Sequence, residues 1–112
     1  MEDETTKLAK MLKALGNPVR LQILTYLAST HGCITNDIVQ QIPLAQSTVS
    51  QHLKVLRQAG LILGEIEGPA TCYCLSAQGF GWLRQHLTLT LDGLLSTPEP
   101  NLIQLDIRTE TE

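Results

Sequence analysis

One amphipathic segment constrains the fold of this chain more than any other feature. Residues 45–62 read AQSTVSQHLKVLRQAGLI, and Val49, Leu53 and Leu56 recur at the spacing of a single helical face. Gly60 follows the last residue of that apolar stripe, at a position where glycine commonly ends a helix. The pattern therefore predicts a helix that packs one face against a core and ends near Gly60.

The polar face of this predicted helix, called the reading helix below, carries short hydrogen-bonding side chains first and cations further on. A helix about 20 Å long with this composition fits the major groove of DNA. Its glutamine, serine and threonine side chains can reach base edges or phosphates, and its lysine and arginine can meet the backbone. The alternative is an ordinary solvated helix face. The predicted DNA-binding residues are Gln46, Ser47, Thr48, Ser50, Gln51, Lys54 and Arg57.

The segments on both sides place the reading helix in a larger motif. Residues 35–42 (TNDIVQQI) predict a short amphipathic helix that Thr35 or Asn36 can cap, and residues 43–45 form a turn that begins with Pro43. Two helices joined by so short a turn form a helix-turn-helix, whose second helix enters the groove. Residues 61–67 and 71–75 then predict two strands around Gly68 and Pro69. The whole motif is a winged helix-turn-helix.

Three further helices are predicted over residues 5–15, 19–29 and 77–95. The fold class is therefore mainly α with a small β-hairpin, comprising five helices and a two-stranded wing. The first and last helices carry more apolar side chains than one small winged domain can cover, so we expect a homodimer through these terminal helices. The alternative is that they close the core of a monomer. The residues predicted at the dimer interface are Leu8, Met11, Leu12, Phe80, Leu83, Leu87 and Leu91.

The domain boundary is expected near residue 97. Residues 1–97 form one domain for DNA binding and dimerisation, whereas residues 98–112 lack a helical period and are expected to form a mobile tail. No hydrophobic run approaches the roughly 20 residues of a membrane span, and no signal peptide precedes the domain. We therefore expect a cytoplasmic protein without a membrane partner, in which the three cysteines stay reduced.

With these elements in place, the chain resembles the ArsR (ArsR/SmtB) family of bacterial metal- and redox-responsive repressors. The matching segments are residues 14–24 (ALGNPVRLQIL), residues 47–62 (STVSQHLKVLRQAGLI) and the wing strand that ends in CYCLS at residues 72–76. The resemblance spans roughly residues 6–95. It implies a homodimer whose binding to an operator in double-stranded DNA is released by an inducer. It also implies that His52 is a packing residue beside the reading helix.

The sensing sites of that family match this chain less well. One type carries a Cys-x-Cys in the first helix of the helix-turn-helix, but residues 34–37 here read ITND. Another type uses carboxylates and histidines of the last helix, where this chain offers only His86 and Asp92. A tetrahedral zinc site needs four ligands, so we expect neither type. The wing also departs from the usual basic pattern, because Glu65, Glu67 and Pro69 stand where cations would grip phosphates.

Cys33, Cys72 and Cys74 are the candidate inducer-sensing residues. Cys72 and Cys74 point to the same side of one strand about 7 Å apart, which is too far for a disulfide without distortion. Both could bind trivalent arsenic or antimony, with Cys33 as a third ligand, and no other cofactor is expected. Reversible thiol oxidation or persulfidation is an equal alternative. The remaining alternative is that these cysteines pack as small hydrophobic residues.

The sequence thus favours a dimeric transcriptional repressor that recognises an inverted-repeat operator. A second hypothesis is a protein-interaction module that keeps the winged fold without binding DNA, which the acidic wing and the net charge of −3 favour. An enzyme is not expected, because the chain has no glycine-rich phosphate loop, no clustered histidine and carboxylate pair, and no thiol beside an obvious base.

Overall fold

The computed structural model describes residues 2–30, 33–35, 42–67 and 70–98. Its elements are α1 (Glu4–Leu15), α2 (Pro18–Ser29), β1 (Cys33–Thr35), α3 (Gln46–Gln58), β2 (Ile62–Glu67), β3 (Ala70–Leu75) and α4 (Ala77–Leu95). The prediction of a mainly helical fold with an antiparallel hairpin is confirmed, and α3 is the reading helix. The other predicted helix of the helix-turn-helix falls largely on residues 36–41, and the predicted tail on residues 99–112; both stretches lie outside the described residues.

Side-chain caps fix where three of the four described helices begin. Asp3 Oδ1 accepts a hydrogen bond from the Thr6 backbone N–H at 2.8 Å, and this bond lowers the pKa of Asp3. Asn17 caps α2, whose first residue is Pro18, and Ser76 Oγ accepts from a backbone N–H at the start of α4. These polar caps are why α2 and α4 start next to the positions that the sequence pattern indicated.

The sheet has three strands in the order β1-β3-β2, with both pairings antiparallel. β2 and β3 form the predicted hairpin, whereas β1 corrects the sequence analysis, which began a helix at Thr35. β3 has two edges, and β2 covers only one of them. The segment Cys33–Thr35, which contains the β-branched Ile34 and Thr35, pairs with the other edge. The wing is thereby tied to the chain that leads into the helix-turn-helix.

A single hydrophobic core lies where α1, α2, α3 and the start of β2 meet. The stripe of the reading helix is at its centre, since Val49 and Leu56 are fully buried and Leu53 nearly so. Leu83 of α4 is also a member of this core. The other buried members are Met11, Ala14, Ile23, Leu24, Leu27, Ala59, Leu61 and Ile62.

Two residues predicted at the dimer interface belong to this core instead. Met11 is 1% exposed and Leu83 is 5% exposed within a single chain, so neither offers surface to a second subunit. The reason is that α1 and α4 pack against each other: the Lys7 ammonium lies 4.3 Å from the centre of the Trp82 ring. The alternative that the terminal helices close the monomer core is therefore correct for Met11 and Leu83.

The end of the reading helix and the start of α4 meet at two glycines. Gly60 has a φ of 82°, the left-handed conformation that lets the chain leave α3 and enter β2. Gly79 lies so close to the Gly60 carbonyl that a Cβ at residue 79 would overlap its oxygen. The Ser76 N–H donates to the Leu61 carbonyl oxygen at 2.9 Å and closes the same junction. Within the described ranges, no helix combines the length and the hydrophobicity that crossing a bilayer requires.

Replacing Gly79 by alanine should destabilise the protein, although alanine normally favours a helix. The added Cβ would push α4 away from Gly60, at a cost of about 1–3 kcal/mol in the free energy of unfolding. Gly81 is the matched control in the same helix. A Cβ there meets nothing within 4 Å, so Gly81→Ala should stabilise by about 0.4–1 kcal/mol. Urea unfolding measures both, and equal stability of the two variants would contradict the close approach of Gly79 to Gly60.

Candidate nucleic-acid interface

The reading helix presents all seven of the predicted DNA-binding side chains on its exposed surface. Its three buried residues form one stripe, and the seven predicted residues lie at exposed positions around the rest of the helix. Ser47, Gln51 and Lys54 lie three or four residues apart along the opposite side of the helix. Gln58 continues this row and was missed by the sequence analysis, although the same spacing reaches it. The predicted residues are therefore brought together by one helix.

The N-terminus of the reading helix is left without a side-chain cap. Ala45 occupies the cap position and has no acceptor in its side chain. The first backbone N–H groups of a helix have no partner within the helix, and they carry the positive end of its dipole. Gln46 and Ser47 are in this first turn, so backbone and side-chain donors cluster at one end of α3. Such an end favours an anionic partner.

Arg57 lies on the side of the reading helix that faces the wing, next to Gly64 of β2. Its position differs from that of the row formed by Ser47, Gln51 and Lys54, and its contact with the DNA backbone stays a prediction. The side chains of Glu65 and Glu67 and the residue Pro69, which make up the acidic wing of the sequence analysis, lie outside what the structure describes.

Arg20 joins α1, α2 and the reading helix through three hydrogen bonds. Its Nε donates to the Ala14 carbonyl at 2.6 Å, and one terminal nitrogen donates to the Lys13 carbonyl at 3.4 Å. The other terminal nitrogen lies 3.2 Å from Nδ1 of the half-buried His52. Because a guanidinium only donates, Nδ1 of His52 must accept. His52 is thus a half-buried packing residue of the reading helix, and it also makes a polar contact with Arg20 that sequence spacing could not reveal.

The three cysteines lie on the sheet, Cys33 in β1 and both Cys72 and Cys74 in β3. Cys72 carries an exposed free thiol, and its Sγ is 3.9 Å from Sγ of Cys74. Cys74 is disulfide-bonded, which corrects the expectation that every cysteine is reduced. In the backbone register of β1 and β3, Cys33 is the Cα partner of Cys74.

The last helix carries no metal site among the residues that the structure describes. His86 stacks on Trp82 with ring centroids 3.7 Å apart, and its Nδ1 lies 2.9 Å from the Trp82 carbonyl oxygen. Its Nε2 lies 3.6 Å from a carboxylate oxygen of Glu4 on α1. These contacts place His86 in the packing between α1 and α4, while Asp92 is exposed further along the helix.

The C-terminal half of α4 exposes leucines that none of the residues described by the structure covers. Leu91 is 47% exposed, and Leu89, Leu94 and Leu95 are more exposed still. Of the other residues predicted at the interface, Leu12 is also exposed, whereas Leu8, Phe80 and Leu87 are half-buried against the core. Large apolar side chains this exposed at one end of a helix commonly mark a protein–protein contact in soluble proteins.

Comparison with known proteins agrees with this architecture. The profile of the family described as "Bacterial regulatory protein, arsR family" matches residues 17–63. The transcriptional activator HlyU of Vibrio cholerae is 36% identical over 77 residues, which cover 69% of this chain and 70% of HlyU. The repressor SmtB of Mycobacterium tuberculosis is 37% identical over 67 residues, or 60% of this chain. The chain spans about half the length of SmtB, 49% of it.

Solved structures give the same result. A crystal structure described as a possible transcriptional regulator for arsenical resistance superposes with a TM-score of 0.62 and is 31% identical, covering 80% of this chain and 98% of its own. The named relatives are transcriptional regulators, so the prediction that the chain is not an enzyme is confirmed. The winged fold, the regulatory relatives and the matched reading helix together show that the chain belongs to the arsR family of bacterial regulatory proteins.

Proposed function

We propose that this protein is a homodimeric repressor that binds an inverted-repeat operator by inserting the reading helix of each subunit into the major groove. The single observation that carries the proposal is the exposed polar face of α3, which is backed by a fully buried stripe. A helix held this rigidly presents its side chains to base edges in a defined register. SmtB is named a repressor and HlyU an activator, and the release by an inducer that the family resemblance implies favours repression.

The competing function is a protein-interaction module without DNA binding. The net charge of −3 is the observation that favours it. Against it, much of the acid lies near the chain termini, whereas Lys54 and Arg57 are exposed on the reading helix. Local charge rather than net charge governs attraction to DNA.

The exposed polar face of the reading helix predicts that two substitutions have different effects on DNA binding. Gln51→Ala should lower affinity for the operator by about 1–3 kcal/mol and relax the base preference, because alanine cannot form a bidentate pair with a base. Lys54→Ala should weaken binding to all sequences alike and reduce the slope of log K against log salt by about one unit per subunit, because one phosphate per subunit is no longer neutralised. Gln78→Ala, at an exposed glutamine on α4, is the control. Fluorescence anisotropy on operator and scrambled DNA measures these effects; parental binding by both variants would contradict the groove assignment.

Dimerisation is proposed through the exposed leucines of α4 together with Leu12 of α1. Their uncovered apolar surface supports the proposal, as does the need to link two reading helices that occupy half-sites about one DNA turn apart. The proposed interface also includes Phe80 and Leu87, which are half-buried against the core and so offer it only part of their surface.

Leu91→Asp should convert the dimer to a monomer with little affinity for the operator. Leu91 is 47% exposed in the single chain, so the charge would disturb the interface more than the core. Leu21→Asp on α2 is the matched control, because Leu21 is 48% exposed. Light scattering reports the oligomeric state. A Leu91→Asp protein that stays dimeric would move the interface to another surface.

We also propose that Cys72 and Cys74, together with Cys33, couple an inducer to release of DNA. The 3.9 Å between the two sulfur atoms supports this, because one soft ion or one sulfur species can engage both. A thiol reductant that opens the disulfide of Cys74 would leave thiolates for trivalent arsenic or antimony, and a persulfide donor would modify the exposed Cys72 thiol. β3 runs from the wing to Ser76 at the start of α4, so a ligand on it acts between the DNA-binding and dimerisation elements.

The double variant Cys72→Ser with Cys74→Ser should bind the operator like the parent yet ignore the inducer. For the parent, a coupling of about 1–3 kcal/mol would reduce operator affinity roughly 5- to 150-fold. Anisotropy titrations with arsenite under reducing conditions, and separately with a persulfide donor, measure this reduction. If the double variant responds as the parent does, or the parent responds to neither compound, the cysteines only pack.

A further inference from the structure

A cationic recess borders the reading helix on the side that faces α1. It has a volume of about 700 Å³ and is bounded by the end of α1, the start of α2 and the second half of α3. Lys10, Lys13 and Arg20 line it, so three of the eight lysines and arginines of the chain converge on one place. None of the three belongs to the predicted DNA-binding set.

The positive charge of this recess is incompletely balanced. Among the described residues, one carboxylate forms an ion pair with its cations: Glu2 Oε2 lies 3.2 Å from Lys10 Nζ, and both side chains remain well exposed. Such an exposed pair is weak and is readily exchanged. Lys13 and Arg20 have no acidic partner in the part of the chain that the structure describes. Cations that line one recess without matching acids attract an anion.

The recess is also more rigid than a row of surface lysines. Its floor contains the backbone around Ala14 and Ala59, two residues that are almost fully buried. Arg20 is fixed by its bonds to two carbonyls of α1 and to His52 of the reading helix. These bonds use three of the five guanidinium N–H donors and leave two for another acceptor. The position of the Arg20 guanidinium relative to α3 is therefore set before any ligand binds.

The location of the recess identifies its partner. Val55 and Gln58 of α3 form one wall, and Gln58 continues the exposed row of Ser47, Gln51 and Lys54. Gln58 follows Gln51 by two helical turns, about 10 Å along the helix axis. The major groove is about 12 Å wide and is bordered by phosphates. When the exposed row of α3 faces the bases, a recess at the end of that row therefore adjoins the phosphates of one DNA strand.

We propose that this recess holds a backbone phosphate of the operator at the edge of the major groove. The inference rests on the proposed DNA-binding function and adds a second contact, outside the reading helix, made by Lys10, Lys13 and Arg20. Contacts to phosphate carry no sequence information but fix the register of the protein on the duplex. The recess thus concentrates positive charge at the DNA surface in a protein whose net charge is −3.

The first test is the salt dependence of DNA binding by the intact dimer. Lys13→Ala and the double variant Lys10→Ala with Lys13→Ala should lower the slope of log K against log salt. The expected decrease is about 0.9 for each phosphate that the variant no longer neutralises, counted twice in a dimer. Affinity should fall alike on operator and scrambled DNA. Lys7→Ala is the matched control: it removes the same charge from the same helix, but its ammonium lies over Trp82. Its slope should equal that of the parent.

The second test predicts a gain that misfolding could not produce. Glu2→Gln removes the carboxylate that competes with phosphate for Lys10, so it should raise DNA affinity roughly two- to fivefold at low salt, the range of an exposed ion pair. Glu4→Gln is the control, because the carboxylate of Glu4 faces His86 of α4 instead. It should raise affinity less than Glu2→Gln does.

The outcomes separate this inference from the function on which it rests. If the parent binds DNA and the double lysine variant keeps the parental slope, the recess does not hold phosphate. If Lys7→Ala lowers the slope as much as Lys13→Ala, general charge rather than the recess is responsible, and the inference is again overturned. A parent that binds no DNA at low salt would overturn the proposed function itself.

Discussion

The contact between Gly60 and Gly79 is the constraint on which the arrangement of this molecule depends. Gly60 ends the reading helix in a left-handed conformation, and the start of α4 packs directly on its carbonyl. The Ser76 N–H closes the same junction from the end of β3. The reading helix, the wing and the proposed dimerisation helix α4 therefore meet at one small contact, where the backbones of two glycines touch. Because packed backbone has little room to adjust, movement of one element must displace the others.

The distribution of charged side chains is the second feature that shapes how this molecule meets DNA. The chain is acidic overall, yet five of its eight lysines and arginines lie on or beside one helix: Lys54 and Arg57 on the reading helix, and Lys10, Lys13 and Arg20 in the recess beside it. Arg20 couples the two groups, because it is bonded both to α1 carbonyls and to His52 of the reading helix. A protein of this kind can bind DNA at a defined site while its remaining surface repels other duplexes.

The spacing of apolar residues along the chain predicted the helices, because contacts between sequence neighbours determine where a helix runs and ends. The stripe of Val49, Leu53 and Leu56, the glycine that ends it and the span of α4 follow from spacing and capping alone. The predictions that were wrong concern residues whose structure depends on partners distant in sequence. β1 exists because β3 offers it an edge, and Met11 is buried because α1 shares one core with α2, α3 and α4. The Arg20–His52 bond joins residues 32 positions apart, so no spacing rule could have found it.

The central claim is that two reading helices of one dimer recognise DNA in a sequence-specific way. Hydroxyl-radical footprinting of the full chain on the DNA immediately upstream of its own gene tests this most directly. The account predicts two protected half-sites related by an inverted repeat, with centres about 10–10.5 base pairs apart or a multiple of that distance. Protection should disappear with the Leu91→Asp monomer. Weak protection spread evenly along the duplex, or none at low salt, would contradict the account and favour a protein-interaction module.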